Sequence, residues 1–554
     1  MLIDCLNEFN SEDYIELIFR EGALSRRGFL GVEEYCIIPI NEKWSLVSVP
    51  VRSIPEATFE AINYSAFPML YGLADLGAVN ASGVTAVREQ PVLGLYGTGT
   101  YIAIIDTGIN WRHEAFIKAD NTTRIKIMWD QESNTVYTEE DINAALAGET
   151  SEIPQDEIGH GTFMAGIASG NINRNADFSG VAPLANLIVV KLKQAKRYLR
   201  DFYFIKDGAI AYSETDLMLA TQFVIDYAEQ NELPVSMCVG VGSALGSHAG
   251  TSPFCDLISD EAEKTGRCIT IAAGNEGVER LHFEGRISDE NTLERVEINV
   301  GAGESGFSCE LWSNAPEIYT IEIISPTGQI INRLPARTDI STRLNFIFEN
   351  TTIYIYYKQN EARSGKNLVV IRFKNPAAGI WTLNVYGRNI VRGEYDIWMS
   401  NREFISDDTY FLQPAPQTTI TEPGNTMGCI TVAAYDSVNN NLYIKNGRGY
   451  TSMGVVKPDF CAPGVNIIGP SSLGTNTYEV RSGTSVAAAF YTGMAALIQE
   501  FGTVRNNIPY LQTNDIKNIT ITGCVRLDGI QYPSPLWGYG VVNLYNSIEN
   551  LRRE

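Results

Sequence analysis

Asp106, His160 and Ser485 stand in three segments, in that order along the chain, and each segment suits one part of a nucleophilic reaction. A serine hydroxyl is a poor nucleophile at neutral pH and needs a base within hydrogen-bond reach to take its proton. Histidine fits that task because its ordinary pKa, about 6.5, lies near working pH. The histidine in turn needs its second nitrogen held by a carboxylate, which fixes the tautomer and steadies the imidazolium. Only four histidines exist, His113, His160, His248 and His282, so any general base is one of them.

The local patterns sort the candidates. Ile102-Ala-Ile-Ile-Asp-Thr-Gly-Ile109 places the Asp106 carboxylate where a buried strand ends, and α/β folds build their sites at such ends. Gly159-His-Gly-Thr-Phe-Met-Ala-Gly-Ile-Ala168 reads as a helix start whose small residues allow close packing, with His160 in its first turn. Arg481-Ser-Gly-Thr-Ser-Val-Ala-Ala-Ala489 puts Ser485 at a second helix start, where free N–H groups and the helix dipole favour an oxyanion. Ile269-Thr-Ile-Ala-Ala-Gly-Asn-Glu-Gly277 ends another buried strand with Asn275, whose amide can donate to the same oxyanion. His113 lies near the Asp106 motif, His248 and His282 lack helix-start context, and all three read as surface or packing residues.

The elements that must position these groups follow from hydrophobic pattern. Apolar runs at 101–105, Asn186–Lys191, 234–241 and 268–273 read as buried parallel strands. Residues 216–229 read as an amphipathic helix with Leu219, Phe223 and Tyr227 on one face. Alternation of strand and helix predicts a doubly wound parallel sheet, an α/β fold. Residues 283–420 break the pattern with period-2 runs such as Val296-Glu-Ile-Asn-Val300, separated by turn signals, which predicts an inserted β-sandwich. Residues 1–64 form a separate α+β unit, with a hairpin over 35–51 and a helix opening at Ser53-Ile-Pro-Glu. The expected units are 1–64, 65–282, 283–420 and 421–554.

Of the 554 residues, 42 are Lys or Arg and 65 are Asp or Glu, a formal charge of −23. That balance argues against nucleic acid and anionic membrane partners. The first residues carry neither a basic segment nor an apolar core, so no secretory leader is expected, and no apolar run reaches the ~18 residues of a membrane span. Nine scattered cysteines show no disulfide or metal spacing and read as mostly reduced thiols of a protein made in the cytoplasm.

The four motifs together resemble those of the subtilisin-like (subtilase) serine proteases, whose Asp…His…Ser order is the one seen here. Gly180-Val-Ala-Pro183, Lys457-Pro-Asp-Phe-Cys-Ala-Pro-Gly464 and Trp537-Gly-Tyr-Gly-Val-Val-Asn543 extend the likeness over about 65–280 and 421–554. The resemblance implies a serine endopeptidase with Asp106, His160 and Ser485 as triad, Asn275 in the oxyanion hole and no cofactor. It implies that Cys238, Gly240 and Gly242 line a substrate cleft, pairing with an extended peptide as an added strand. It also implies that residues 1–64 are a propeptide that ends in the cleft and is removed by self-cleavage at Tyr64–Ser65. Ala115 falls where the family's calcium-binding acid stands, so no metal and no strong calcium requirement are expected.

A long insert between Asn275 and Ser485, with no leader, is similar to the clostridial Csp proteases. Those cleave the zymogen of a cortex hydrolase during spore germination, and their insert is a jelly roll. The resemblance implies a protein substrate activated by limited proteolysis and a spore-associated location. The competing readings are a catalytically silent relative acting as a sensor, and an intracellular processing protease unrelated to spores. All four functional residues being present argues against the first.

Overall fold

The computed structural model describes residues 11–20, 35–53, 66–73, 82–149 and 153–551. The central sheet runs in the order Asn441–Leu442, Ile430–Asp436, Arg267–Ala272, Val235–Val239, Tyr101–Asp106, Asn186–Lys191, Ile125–Asp130, Thr135–Thr138, with Phe460–Pro463 also pairing on Ile430–Asp436. The interior pairs are parallel, as continuous Val/Ile-rich runs require when both faces are covered.

The helices His160–Ser169 and Thr484–Gln499 lie on one face of this sheet. The second is buried at every position, from Thr484 to Gln499. Its Ala, Gly and Val residues let it sit close to the strands, and its far end is satisfied by Gln499, which accepts from Ser236 Oγ at 2.9 Å and donates to the Gly266 carbonyl at 3.0 Å.

The opposite face is covered by helices Glu214–Gln230 and Pro253–Ala262. The buried stripe of the first is Leu217, Ala220, Val224, Ile225 and Ala228. The expected stripe of Leu219, Phe223 and Tyr227 is only half-buried. Those residues flank the contact, and Phe223 reaches Trp129 at the sheet's edge, 5.2 Å between ring centres.

Between the strands Arg267–Ala272 and Ile430–Asp436, the chain leaves the α/β unit and builds two antiparallel sheets. One has six strands, ordered His282–Arg286, Glu394–Met399, Gly306–Asn314, Lys366–Lys374, Thr351–Lys358, Ile340–Phe346. The other has five, ordered Ile330–Ile331, Ile318–Ile324, Gly379–Arg388, Leu293–Val300, Tyr410–Phe411. Alternate residues of both, among them Ile298, Ile321, Leu383, Phe307, Leu311 and Ile371, share one core.

Three rings join this part to the α/β unit. Trp398 is stacked between His248 and His282, with centroid distances of 4.1 and 4.9 Å. His248 is buried, its Nε2 lies 3.0 Å from the Ala244 carbonyl, and its Nδ1 has no partner.

Near the N-terminus, Tyr14–Arg20, Trp44–Pro50 and Cys36–Pro39 form an antiparallel sheet with Trp44–Pro50 in the middle. It docks on the α/β unit through apolar packing, with Ile18, Trp44 and Leu46 in one cluster with Leu217 and Met218, and through charge. Glu16, 1% exposed, lies 2.7 Å from Lys196 Nζ and 3.6 Å from Lys193 Nζ, and Lys193 lies 2.8 Å from Asp216. Burial pushes the Glu16 carboxyl up, but the two lysines outweigh it and hold it below the ordinary range. Tyr198 OH accepts from the Glu16 amide and donates to the Glu16 carbonyl, each at 2.8 Å. The helix expected after Ser53 lies outside the described residues.

Seven of the described cysteines are free, as a reading of mostly reduced thiols expects, and Cys36 is the exception among them, being disulfide-bonded. Among the described residues no helix is long and apolar enough to cross a membrane.

Candidate active site

Four segments distant in sequence meet at the carboxyl end of the central strands. Asp106 closes the strand Tyr101–Asp106, and its Oδ1 accepts from the Thr107 amide at 2.7 Å. His160 is the first residue of its helix and points Nδ1 at Asp106, 2.7 Å from Oδ1 and 2.9 Å from Oδ2. The ring's Nε2 lies 3.1 Å from Ser485 Oγ, and Ser485 is the second residue of the Thr484–Gln499 helix. All three side chains are buried. Short distances between an acid, a base and a hydroxyl in a dry setting suit proton transfer away from the hydroxyl.

Two glycines permit this geometry. A Cβ on Gly161 would lie 2.2 Å from the Gly108 carbonyl oxygen, so only glycine lets the His160 helix touch the loop after Asp106. A Cβ on Gly240 would lie 3.1 Å from Asp106 Oδ2 and 3.3 Å from His160 Cε1.

Asn275 follows the strand Arg267–Ala272. Its Oδ1 accepts from the Thr484 amide at 3.3 Å and from the Thr484 hydroxyl at 3.1 Å. That leaves its Nδ2 as a donor toward a cavity of about 400 Å³ lined by His160, Asn275, Gly242, Glu276 and Arg402. Glu276 is in the cavity wall with Oε2 unpartnered. Burial, then repulsion from Glu403 and Glu279, pushes its carboxyl up to about 8.

The expected cleft residues divide. Gly242 lines the cavity, and Gly240 packs on the Asp106–His160 pair. Cys238 does not reach the cavity. Its strand is paired on both sides, its side chain is 1% exposed in the core beneath the Thr484–Gln499 helix, and burial pushes its thiol up to about 12. The pairing edge of Val241–Gly242 is taken by the chain itself: Leu73 and Gly72 oppose Val241 and Gly242 in antiparallel register. Tyr64 and Ser65 lie outside the described residues.

The other histidines pack. His113 Nδ1 accepts from the Ala115 amide at 3.1 Å, and its ring meets Tyr478 edge-on. Glu114 is engaged by Asn173 Nδ2 and the Tyr478 hydroxyl, at 2.7 and 3.1 Å.

Sequence reasoning missed two contributors. Asp156 gathers hydrogen bonds from both sides of the Asp106–His160 contact; its only sequence signal is a place in the acidic pair Asp156-Glu157 just before Gly159-His-Gly. Asn401, from the far end of the inserted sheets, accepts from the Ala244 amide at 2.7 Å and donates to the Gly242 carbonyl at 2.8 Å. No local pattern marks it, because its partners lie far away in sequence.

The family model of the subtilases matches residues 97–306 and 402–540 and passes over most of the inserted strands. A solved structure of the CspB protease of Clostridium perfringens is 31% identical, with a TM-score of 0.76, covering 85% of this chain and 96% of that one. The C5a peptidase of Streptococcus pyogenes serotype M1 is 24% identical over 440 residues, which are 73% of this chain and 34% of that protein. The chain thus spans about a third of that curated relative. The serine protease AprX of Bacillus subtilis (strain 168) is 26% identical over 262 residues, 43% of this chain and 48% of that protein. With the family model covering more than half of its length, the chain belongs to the subtilase family of serine endopeptidases.

Proposed function

We propose that this chain hydrolyses internal peptide bonds through an acyl-enzyme, with Ser485 as nucleophile, His160 as base and then acid, and Asp106 as the group that orients His160. The observation that carries this reading is the unbroken relay from Asp106 through His160, at 2.7 Å, to Ser485, at 3.1 Å. Ser485 Oγ attacks the substrate carbonyl as its proton passes to His160 Nε2. The oxyanion is held by Asn275 Nδ2 and the Ser485 N–H. His160 then protonates the departing amine, and water, deprotonated by His160, releases the acyl group. No step needs a cofactor.

The N-terminal sheet acts as a propeptide, and the chain matures by cutting at Tyr64–Ser65. The charge-anchored docking of that sheet and the placement of Leu70–Leu73 beside Val241–Gly242 support this reading. The inserted sheets form a jelly-roll-like sandwich that stiffens the cleft, supported by Asn401's hold on the 242–244 backbone. The likeness to the CspB protease supports a protein substrate activated by limited proteolysis, a spore cortex hydrolase zymogen.

Intact mass and N-terminal sequencing of wild type beside Ser485→Ala test the reaction. Wild type cut at Ser65 with the variant intact is the expected result. Both chains full-length, with no fluorophosphonate label on Ser485, would point instead to a silent relative.

A further inference from the structure

Beside the Asp106–His160 contact lies a carboxylate that touches neither residue and takes no part in the relay. Asp156 is 2% exposed. Its Oδ1 accepts from the Thr107 hydroxyl at 2.7 Å, the Gly159 amide at 2.8 Å and the Ile158 amide at 3.1 Å. Its Oδ2 accepts from the Thr162 amide and the Thr162 hydroxyl, both at 2.8 Å. Five donors on one buried carboxylate fill its acceptor capacity.

The two hydroxyls carry the connection further. Having given its proton to Asp156, each must use its oxygen as an acceptor. Thr107 Oγ1 accepts from the Gly161 amide at 2.8 Å, and Thr162 Oγ1 accepts from the Asn110 amide at 2.8 Å. The loop that follows Asp106 is thereby stitched to the first turn of the His160 helix, at the two residues after His160. The helix start lacks a side-chain cap from its own Gly159, and Asp156 supplies the missing acceptor for the buried Gly159 and Thr162 amides. The stitch also fixes the approach that Gly161 allows, with no freedom left for either hydroxyl to turn.

We propose that Asp156 is the positioning residue of the active site: it sets the distance and angle between Asp106 and His160 and, through its charge, favours the imidazolium that forms as Ser485 attacks. The inference rests on the proposed roles of Asp106, His160 and Ser485. An apolar residue or an amide could fill the space but could not serve five donors. In Asp156→Asn, the new NH₂ group faces donors instead of acceptors, and the network must open.

The experiment compares wild type, Asp156→Asn and Thr107→Val, each at full length. It reads thermal stability, peptide hydrolysis over pH 5–9 and the rate of fluorophosphonate labelling at Ser485. For Asp156→Asn the expected result is a loss of kcat of about 10²-fold, the scale of a misaligned reacting pair, with KM within about twofold. The acid limb of kcat/KM moves to lower pH, because removal of a nearby negative charge disfavours the imidazolium. Labelling slows by a similar factor. Thr107→Val removes one arm and keeps the charge, so its rate falls while its acid limb stays in place; it carries the test of positioning if Asp156→Asn does not accumulate folded. A folded variant with lowered stability but wild-type kcat, acid limb and labelling rate would overturn the proposal and leave Asp156 a structural acid. Failure of the wild type itself to label would instead overturn the assignment of Ser485.

Discussion

Asn275 turns its side-chain oxygen to Thr484, accepting from that residue's amide and hydroxyl at 3.3 and 3.1 Å. Thr484 immediately precedes Ser485, so the same contact that fixes the amide of Asn275 also fixes the helix start that presents the Ser485 hydroxyl. The Asn275 amide and the Ser485 hydroxyl are therefore set by one joint, and Nδ2 has no bond of its own among the described residues.

Removing that donor tests the arrangement. Asn275→Ala is expected to lower kcat by about 10²–10³-fold, a magnitude taken from subtilisin itself, with KM nearly unchanged. Steady-state kinetics on a peptide substrate check this. A loss confined to KM would show that Asn275 serves ground-state binding.

The cavity wall carries a pH signature. Glu276 is held neutral up to about 8 in the folded protein, against 4.5 for an ordinary glutamate. Between those values the unfolded chain has lost a proton that the native chain keeps, so stability falls as pH rises from about 4.5 to 8. Glu276→Gln should reduce that fall and raise Tm most at pH 8. Parallel melts of wild type and variant from pH 5 to pH 8 decide it; curves of equal slope would place the titration elsewhere.

His248 works in the opposite direction. Burial, only partly offset by the Ala244 carbonyl, pulls its pKa down to about 3 from 6.5. Below 6.5 the unfolded chain binds a proton that the native ring refuses, so stability drops as pH falls from 6.5 toward 3. His248→Gln keeps a donor for Ala244 but does not titrate. It should lose less Tm than wild type between pH 7 and pH 5, even though the Trp398 stack is weakened at all pH values. An unchanged acid slope would mean that other groups set the acid limit.

At the N-terminal sheet, Glu16→Gln leaves the Lys196 ammonium buried beside a neutral amide. Breaking a buried pair from one side costs about 3–5 kcal/mol. Hydrogen exchange should show the amides of Trp44–Pro50 opening sooner while those of Tyr101–Asp106 keep their protection. Equal protection in both strands would show that Tyr198 and apolar packing hold the sheet unaided.

How much of this was legible depends on where each residue's partners lie. Asp106, His160, Ser485 and Asn275 were readable because each ends or begins an element whose type its neighbours announce. Gly240 lies just past the strand Val235–Val239 that holds Cys238, yet only Gly240 is at the site. Telling them apart needs the depth at which the Thr484–Gln499 helix crosses the sheet, which no short pattern encodes. The stripe on Glu214–Gln230 was misplaced for a related reason: three large residues lie along one edge of the contact, while small ones such as Ala220 and Ala228 fill its centre. Asp156 and Asn401 stayed hidden because a polar residue among polar neighbours gains meaning only from partners brought to it by the fold.

The inserted sheets also bear on the order in which the molecule comes into being. Arg267–Ala272 and Ile430–Asp436 are neighbours in the central sheet, but every inserted strand is synthesised between them. Contacts so far apart along the chain close slowly. Asp106 and His160 leave the ribosome early, whereas the helix bearing Ser485 is synthesised only after the whole insert. Ser485 is thus the last of the three to be synthesised, and a chain cut short before it holds Asp106 and His160 with no Ser485 hydroxyl to meet them.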